Sequence, residues 1–461
     1  MNAIRKCHML AVACAIIALS LTAGTPRNVV LFIGDGMSTP QRMVAEEFLW
    51  KSGKGPLAMN AMPCHATVCT HSASSLVTDS AAAATAIACG VKTNNGTLGL
   101  DAGGSRVESC AEAARDSGRK VGIMTSVSIN HATPAGFYAH RSHRSQIYGI
   151  GLDLVSSGFD LFMGGGLAGA NLRKDDPEYA GDLYEIASSN GWIVAEGRKG
   201  FSELQRDFDA GKLPGDACVW WRSGEQAQPY VIDMKDGDMP RLPEMTRFAL
   251  DYLHGRASAD GEDKGFFLMV EGGRIDWAGH SNDAASNLRD TLELDEAVKV
   301  ALAFQKSNPD TLIIVTGDHE TGGMSLGCAS TGYAFYAERL AAQTCSADMF
   351  AEKAKALKDA GASFEEAKRL ITECFGFMFG GDGNDPMTLS ADEVASLERH
   401  FAKGDIADKA KHLMSEKAGV GWTSGSHTGL PALTTSIGPG SERFTGMMDN
   451  TDISKTIKSF W

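Results

Sequence analysis

The chain has 461 residues, of which 43 are Lys or Arg and 57 are Asp or Glu, so its formal net charge is −14. Hydrophobic residues make up 43% and charged residues 22%, a composition typical of a globular protein with a substantial buried core. The acidic balance argues against a general affinity for nucleic acid or for an anionic membrane surface.

The N-terminal segment has the pattern of an export signal. Arg5 and Lys6 form a short basic region, and the apolar run over 9–23 that follows ends in small residues. This run is too short and too poorly flanked for a stable membrane span, and it matches a signal peptide that a peptidase removes. We therefore expect residues 1–23 to be cleaved and the mature protein to be periplasmic or secreted. An N-terminal anchor that stays attached is the alternative interpretation.

The cysteines permit disulfide bonds in an exported protein. Cys7 and Cys14 lie in the segment expected to be removed, which leaves eight of the ten cysteines. Cys64 and Cys69 could close a small loop, although connectivity cannot be read from a sequence. The chain has no Cys-x-x-Cys pair, so a zinc site made of cysteines is not expected.

Alternating strand and helix patterns predict the fold class. Apolar runs of the kind found in strands covered on both faces occupy 28–33, 120–124, 265–270 and 311–315. Helical periodicity lies between them, for example over 291–302. This order predicts an α/β protein, a three-layer α/β/α sandwich with a mostly parallel central sheet.

Two regions are predicted as insertions into that core. The stretch from about 146 to 262 is Gly-rich and polar, and the stretch from about 330 to 420 is rich in Ala, Lys and Glu. Within the second, 351–370 and 391–418 are predicted as surface helices. We therefore expect one domain over 24–461, with the second insertion helical.

Polar residues stand at the strand ends, where α/β proteins bind ligands. Asp35 follows the first apolar run and lies between two glycines that permit a tight turn. Glu271 follows the third run, and Asp318 and His319 follow the fourth. The functional site is expected at this edge of the sheet.

Ser80 lies at the expected start of a helix. Thr78 is a plausible N-cap, 81–88 consists largely of helix formers, and Gly90 is a natural stop. The first turn of a helix offers free backbone N–H groups and the positive end of the dipole, which favour a bound phosphate. An ordinary capped helix explains the same string when it is taken alone.

Carboxylate and imidazole side chains recur in a pattern that suits zinc. Asp276 and His280 are four positions apart, so one helical turn could aim both at one ion, and His427 lies in a loop of small residues. A single histidine of this kind is more often structural. Together with the residues at the strand ends, these side chains favour a site for two metal ions.

Such a site explains why a serine would be nucleophilic. An unperturbed hydroxyl is a weak nucleophile at neutral pH, and coordination to a metal lowers its pKa. Two ions stabilise the attacking and leaving oxygens of an in-line displacement. Phosphoryl transfer then needs mainly positioning and charge neutralisation, including a guanidinium on the non-bridging oxygens.

Several longer strings, in the same order along the chain, resemble the alkaline phosphatase family. They are 31–38, 77–82, 91–99, 132–135 leading to Arg144, 270–276 and 315–319. The resemblance covers most of the mature length apart from the two insertions, and it implies one catalytic domain over 24–461. It implies hydrolysis of phosphate monoesters to an alcohol and inorganic phosphate through a covalent phosphoserine, assisted by two zinc ions and a third metal.

The resemblance also implies a role for each matching residue. Ser80 is the implied nucleophile, Arg144 the implied phosphate-binding guanidinium, and Asp79 the residue that holds Arg144 in place. The implied ligands of the first zinc are Asp276, His280 and His427. Those of the second zinc are Asp35, Ser80, Asp318 and His319. A third site, normally magnesium, is implied for Asp35, Thr133 and Glu271.

Two positions depart from the best-known bacterial form of the family, although some members share them. His131 and Trp277 stand where that form has Asp and Lys. Trp277 is expected next to the substrate. With tryptophan in place of lysine there, the site has one positive charge fewer near the phosphate. As a direct ligand, His131 would make the third site more suitable for zinc or cobalt than for magnesium. Alternatively, His131 is not a ligand and reaches a bound water.

Two other functions compete with a phosphomonoesterase. The runner-up is a phosphodiesterase or sulfatase of the same superfamily, but Arg144 suits the dianionic end of a terminal phosphate. A non-catalytic phosphate- or metal-binding protein is disfavoured because every catalytic position of the match is filled. The expected partners are small phosphate monoesters and inorganic phosphate, without nucleic acid specificity. The natural substrate stays open, as does a homodimer.

Overall fold

The four apolar runs all form strands of one ten-stranded sheet. The structure, a computed structural model, describes residues 24–169, 178–214, 216–259, 261–381 and 383–461. The segment expected to be a signal peptide, 1–23, lies outside these residues. Within the described residues, we find no helix that combines the length and the apolar character needed to cross a membrane.

The described strands begin and end as follows. They are β1 (Asn28–Gly34), β2 (Cys64–Cys69), β3 (Lys120–Ser128), β4 (Leu161–Gly165), β5 (Trp192–Glu196), β6 (Cys218–Arg222), β7 (Phe266–Gly272), β8 (Thr311–Gly317), β9 (Glu320–Thr321), β10 (Ser325–Leu326), β11 (Val420–Gly421), β12 (His427–Thr428), β13 (Ala432–Ile437) and β14 (Gly446–Asp449).

The main sheet has the strand order β14-β2-β13-β8-β1-β7-β3-β4-β6-β5. Strand β13 runs antiparallel to β8 and to β2, whereas the other pairings described in this sheet are parallel. Two short antiparallel ladders, β9 with β12 and β10 with β11, lie outside it. The predicted mostly parallel sheet is therefore confirmed.

The helices surround this sheet. They are α1 (Thr39–Lys51), α2 (Ser80–Cys89), α3 (Cys110–Asp116), α4 (Ala132–Ala135), α5 (Ile147–Ser156), α6 (Leu183–Ser189), α7 (Gly197–Asp209), α8 (Leu242–Ala259), α9 (Arg274–His280), α10 (Ala284–Ser307), α11 (Ala347–Asp359), α12 (Phe364–Phe375), α13 (Ala391–Lys403), α14 (Ile406–Ala418) and α15 (Thr451–Lys458). Short 3₁₀ helices cover Val231–Asp233, Ala337–Ala342 and Ser441–Arg443.

Alternate residues of the central strands point to opposite faces of the sheet. In β1, Val30 and Phe32 join one buried cluster, whereas Val29, Leu31 and Ile33 join the other. The first cluster includes side chains of α1, α8 and α10, and the second includes side chains of α2, α3, α5 and α15. Helices therefore cover both faces, and the three-layer α/β/α sandwich is confirmed.

The stretch from about 146 to 262, expected as an insertion, supplies β4, β5 and β6 to the edge of the central sheet. Trp220 and Trp221 on β6 are both fully buried, and they join opposite core clusters. This part of the chain therefore continues the layered core.

The stretch from about 330 to 420 is helical as expected, but each of the two predicted helices is divided into two shorter helices. The helix predicted over 351–370 is interrupted at Gly361, which has a left-handed φ of 80°, and α12 restarts with a capping box between Ser363 and Glu366. The helix predicted over 391–418 is interrupted at Gly404, where φ is 95°. These helices are also not purely superficial, because their apolar sides join the first core cluster.

Cys64 and Cys69 cannot close the small loop that their spacing suggested. They occupy the two ends of β2, an extended strand of six residues. At about 3.3 Å per residue their Cα atoms are roughly 16 Å apart, whereas a disulfide needs Cα atoms within about 7 Å. Both thiols are free.

Candidate active site

The carboxyl ends of three adjacent strands bring acidic residues together. Strand β1 lies between β7 and β8 in parallel register, so their ends meet at one edge. Asp35 follows β1, Asp318 follows β8, and Glu271 is the penultimate residue of β7. All three side chains are fully buried. The edge predicted from the sequence therefore carries a concentrated negative charge.

Gly36 makes the turn after Asp35 possible. Its φ is 71°, and a Cβ atom there would lie 2.8 Å from the Cα of Asp276. Its backbone N–H donates to Asp318 Oδ1 at 3.1 Å. A side chain at this position would therefore push apart the segments that carry the carboxylates.

Ser80 is the first residue of α2, as expected, but the N-cap is Asp79 and not Thr78. Asp79 has extended backbone angles, and its Oδ1 accepts a hydrogen bond from the N–H of Ala82 at 3.0 Å. The correction has a physical reason, since a cap must stand directly before the first helical residue to reach this N–H group. Ser80 is buried, and its Oγ lies 3.2 Å from His319 Nε2.

Asp276, His280 and His427 form what we term the first group. His280 Nε2 lies 3.4 Å from Asp276 Oδ2 and 3.2 Å from His427 Nε2, which is itself 3.6 Å from Asp276 Oδ1. Nδ1 of His280 donates to the carbonyl of Gly425, and Nδ1 of His427 donates to that of Thr78. Nε2 is therefore the atom that each ring, when neutral, offers to a metal ion. Two imidazoles and a carboxylate with this outer support suit a zinc ion.

Asp35, Asp318 and His319 form the second group, which Ser80 adjoins. His319 Nε2 lies 3.4 Å from Asp35 Oδ1 and 3.2 Å from Asp318 Oδ2. Ligand atoms of these three residues all lie within 4.8 Å of one another. The His319 ring stacks on the His427 ring with centroids 3.6 Å apart, so the first and second groups are neighbours.

Asp35 also belongs to a third group, with Glu271 and Thr133. Thr133 Oγ1 donates to Asp35 Oδ2 at 3.3 Å, and Thr125 Oγ1 donates a short hydrogen bond to Glu271 Oε2. One ring nitrogen of His131 lies within 4.8 Å of a carboxylate oxygen of Asp35 and of Glu271. His131 is the N-cap residue of α4 and Thr133 lies within that helix, which accounts for their proximity.

Arg144 lies between Asp79 and His131. Its Nη1 is 3.3 Å from Asp79 Oδ2, and its Nη2 donates to His131 Nε2 at 3.1 Å. Trp277 contacts the His131 ring edge-on, with centroids 6.1 Å apart. The guanidinium is therefore held beside Asp79, the N-cap of α2, and the first residue of that helix is Ser80.

The buried carboxylates of the second and third groups fit metal ions. Burial and the charges of Asp318 and Asp276 raise the pKa of Asp35, and burial and Asp276 also raise the pKa of Asp318. Burial raises the pKa of Glu271 to about 7. One carboxylate oxygen on each of Asp35, Glu271 and Asp318 is buried without a hydrogen-bond partner among the described residues. A bound cation would satisfy these oxygens and relieve their repulsion.

Two of the imidazoles, those of His131 and His319, are held in the neutral state that a metal requires. Burial, and then the charge of Arg144, lowers the pKa of His131 to about 4. Burial likewise lowers the pKa of His319. A hydrogen bond to Asp276 instead raises the pKa of His280 to about 9, and a metal ion would replace that shared proton.

The sequence analysis missed Thr321, which connects the first and second groups. Thr321 Oγ1 accepts from His319 Nδ1 at 3.2 Å and donates to Asp276 Oδ1 at 2.5 Å. A single buried hydroxyl thus orients one residue of each group. Its position two residues after His319 was the signal that could have pointed to it.

The sequence analysis also missed Glu320, a fully buried carboxylate that ties the surrounding loops together. Glu320 directly follows His319 in the chain, and Thr428 directly follows His427. Glu320 in β9 pairs with Thr428 in β12. Its two oxygens accept hydrogen bonds from Gln41 Nε2, Thr428 Oγ1 and the backbone N–H groups of Gly323 and Met324.

Buried carboxylates and imidazoles arranged for metal ions, with a serine and a guanidinium beside them, define a metal-binding α/β enzyme for phosphoryl transfer. The chain belongs to the alkaline phosphatase family, whose profile matches residues 26–461. The resemblance inferred from the sequence is thereby confirmed. The protein is a phosphoric monoester hydrolase.

Individual relatives span nearly the whole chain. Alkaline phosphatase 3 of Bacillus subtilis (strain 168) is 31% identical over 446 residues, which are 94% of this chain and 88% of that protein. The cold-active alkaline phosphatase of the psychrophile Shewanella sp. superimposes with a TM-score of 0.78 at 27% identity, covering 94% of this chain and 99% of that one.

A third relative is informative about metal content. It is a variant of the alkaline phosphatase from the Antarctic bacterium TAB5, in which one histidine is replaced by aspartate and Mg is bound in the site called M3. The similarity has a TM-score of 0.67 at 27% identity and covers 95% of this chain and 99% of that one.

Proposed function

We propose that the enzyme hydrolyses phosphate monoesters through a covalent phosphoserine at Ser80. The observation that carries the proposal is the position of Ser80 Oγ, 3.2 Å from His319 Nε2 and beside the second group. The Ser80 hydroxyl loses its proton to solvent as Oγ forms a bond to phosphorus. The bond from phosphorus to the alcohol oxygen breaks, and the leaving oxygen takes up a proton from solvent to give the alcohol. Water then attacks the phosphoserine, which releases inorganic phosphate and restores the Ser80 hydroxyl.

Arg144 is proposed to bind the non-bridging oxygens of the substrate. Asp79 Oδ2 contacts Arg144 Nη1 and also accepts from the N–H of Gly96 at 3.0 Å, so the carboxylate that orients the guanidinium is itself fixed. A guanidinium presents donors in a planar fork that matches two oxygens of one phosphate. Such a fork favours the dianionic end of a monoester over a diester.

Zinc is proposed for the first and second groups. The first group offers two imidazole Nε2 atoms and a carboxylate, and the second offers an imidazole and two carboxylates, with Ser80 Oγ beside it. When bound, the ions lower the pKa of the serine hydroxyl and stabilise negative charge on the attacking and leaving oxygens. The residues themselves hold Ser80 and orient the histidine rings.

Magnesium is proposed for the third group, because Asp35, Thr133 and Glu271 supply oxygen only. His131 decides how selective the site is, because an added imidazole favours zinc or cobalt. The magnesium held by the TAB5 variant, with aspartate in place of a histidine, supports an effect of such an exchange on metal choice. The alternative, in which His131 reaches a bound water, predicts no such effect on metal choice.

We further propose that 1–23 is a signal peptide and that 24–461 is a single periplasmic or secreted catalytic domain. The basic start and the apolar run support export. Intact-mass measurement of the exported protein tests it, and a mass that corresponds to residues 1–461 would contradict cleavage. Whether the exported protein forms a homodimer is a separate question, which light scattering on the purified protein decides.

One comparison of substrates tests the proposed function. An aryl phosphate monoester and the matching diester are assayed with the purified protein as isolated, after treatment with a chelator, and after zinc is added back. We expect monoester turnover that chelation abolishes and zinc restores, with the diester slower by at least about 100-fold. A diester that turns over as fast as the monoester would contradict the proposal.

A further inference from the structure

Arg274, the first residue of α9, is held between two aromatic rings. Its guanidinium carbon lies 4.5 Å from the ring centroid of Tyr230 and 4.5 Å from that of Trp277. Its Nε donates to the carbonyl of Gln228 at 2.6 Å, which fixes the guanidinium at this place. Tyr230 is buried. The ring on one side of Arg274 is thus anchored in the protein interior.

The contacts continue from this stack to the phosphate-binding guanidinium. Trp277 meets the ring of His131 at an interplanar angle of 69°. His131 Nε2 accepts from Arg144 Nη2 at 3.1 Å, and Arg144 Nη1 lies 3.3 Å from Asp79 Oδ2. An unbroken series of contacts therefore leads from Arg274 to the N-cap of the helix that begins with the proposed nucleophile.

Acidic residues from two other helices interact with Arg274. Burial raises the pKa of Asp290 on α10 and of Asp348 on α11, and the charge of Arg274 opposes both rises. Two aromatic rings and a backbone carbonyl contact the guanidinium directly. This arrangement suits a residue that orients its neighbours better than one that binds substrate directly.

The first region expected as an insertion contacts this guanidinium, and the second supplies a carboxyl group that its charge acts on. Tyr230 and Gln228 come from the stretch 146–262, and Asp348 comes from the stretch 330–420. The position of Arg274 thus depends on parts of the chain that lie far from the catalytic motifs in sequence.

We propose that Arg274 is a positioning residue for Arg144. A guanidinium stacked on an indole is attracted by the negative face of the ring and restricts its movement. When the Trp277 ring is held in place, the His131 ring that contacts it has fewer orientations available. The position of His131 Nε2 in turn determines where Arg144 Nη2 lies. The proposal rests on the role assigned to Arg144 in the proposed function.

Substitution of Arg274 tests this role. Arg274→Met removes the charge and the planar face but keeps a long side chain. In the metal-loaded full-length protein, we expect the dissociation constant of inorganic phosphate, measured by calorimetry, to rise about three- to tenfold. The bound zinc is expected to stay at the wild-type value. Arg274→Lys keeps the charge without the plane, so a smaller rise is expected, and this variant carries the test if the Met variant does not fold.

Arg339→Met is the matched control. The guanidinium carbon of Arg339 lies 3.6 Å from the ring centroid of Tyr336, so the same substitution removes a cation–π contact at another place in the chain. We expect this variant to bind phosphate as the wild type does. Unchanged phosphate affinity in both Arg274 variants would overturn the proposal.

A double variant shows whether Arg274 acts through Trp277. In a Trp277→Ala background, Arg274→Met should weaken phosphate binding no further, because the ring through which it acts is absent. Additive losses would overturn the proposal, since Arg274 would then reach the phosphate by another route.

Arg144→Ala separates this inference from the proposed function. Unchanged phosphate binding in Arg144→Ala would refute the role of Arg144 and with it the basis of the inference. Weaker binding in Arg144→Ala together with wild-type binding in the Arg274 variants would refute the inference alone.

Discussion

The Nε2 atoms of His280 and His427 lie 3.2 Å apart, although 147 positions separate the two residues in the chain. Each ring uses its Nδ1 proton for a backbone carbonyl, at 2.8 Å for His280 and 2.9 Å for His427. With Nδ1 committed to a carbonyl, the remaining nitrogen of each ring, Nε2, lies beside the carboxylate of Asp276. Without a metal, a proton shared by His280 and Asp276 occupies this place. A zinc ion bound by both Nε2 atoms and the carboxylate would replace that proton.

His427→Ala should therefore remove one zinc ion. We expect the zinc content of the purified protein, measured by atomic emission, to fall by one ion per chain. Monoesterase activity should fall by more than about 100-fold, beyond the loss usual for an outer-sphere change. His412→Ala is the control, because His412 is an exposed histidine on α14. Wild-type zinc content in His427→Ala would contradict the assignment of the first group.

Ser80→Ala should abolish the phosphoenzyme. After acid quenching with labelled substrate, we expect label on Ser80 in the wild type and none in the variant, because no other oxygen nucleophile replaces Oγ at the start of α2. Turnover should fall by at least about 1000-fold. Ser202→Ala on α7 serves as the control. Label trapped on a different residue of the wild type would refute the assignment.

The strand ends could be predicted because their signal is local. Asp35 and Asp318 stand within three residues of the ends of short apolar runs whose length and β-branched content favour buried strands. Parallel strands end at one edge of a sheet. The interrupted helices at Gly361 and Gly404 were also readable, since each glycine stands where a left-handed residue ends a helix. That local signal was overlooked.

The remaining features depend on long-range contacts. Thr321 can join Asp276 to His319 because α9, which carries Asp276, packs against β9. Tyr230 lies in a polar, Gly-rich stretch with no pattern of its own, and its role follows from its packing on Arg274. Apart from the position of Thr321 two residues after His319, neither contact leaves a signal in the sequence.

Arg144→Ala should weaken the binding of both substrate and inorganic phosphate. The loss of a charge-assisted contact costs about 1.5–3 kcal/mol, so the inhibition constant for phosphate should rise by about 10- to 150-fold. Arg198→Ala is a suitable control, because Arg198 also pairs with a carboxylate, that of Glu244, at the surface. Unchanged inhibition by phosphate in Arg144→Ala would show that this guanidinium does not contact it.

A separate prediction concerns stability and pH at Glu112. Burial opposes ionisation of this side chain, but hydrogen bonds from His140 and Ser109 and the ion pair with Arg106 lower its pKa to about 2. Because the folded pKa lies below the ordinary value of 4.5, the ionised carboxylate stabilises the fold above about pH 4.5. This contribution is lost as the pH falls towards 2.

Glu112→Gln should therefore destabilise the protein in a pH-dependent way. We expect the free energy of unfolding in urea to drop by about 1–3 kcal/mol at pH 7. The difference in free energy of unfolding between wild type and Glu112→Gln should stay constant down to about pH 5.5. It should be smaller by about 1 kcal/mol at pH 3.5. Glu108→Gln, which removes a more exposed carboxylate paired with Lys458, should change stability little at either pH. An equal gap at pH 7 and pH 3.5 would contradict the prediction.

The last prediction concerns the metal of the third group. Asp35, Thr133 and Glu271 provide oxygen ligands, whereas His131 brings an imidazole nitrogen to the same place. After metal stripping and reloading with zinc, we expect the wild type to be activated by cobalt as well as by magnesium.

His131→Asp should shift this preference towards magnesium, because a carboxylate adds negative charge and removes the imidazole. The measurement is the activation curve for each ion, together with the magnesium content of the reloaded protein. Trp277→Lys is the partner variant, since a lysine there restores a cation that can pair with the new carboxylate. The negative charge of the new carboxylate should raise the magnesium content of His131→Asp whether or not Trp277 is changed. Identical activation of wild type and His131→Asp by both ions would show that His131 does not select the metal.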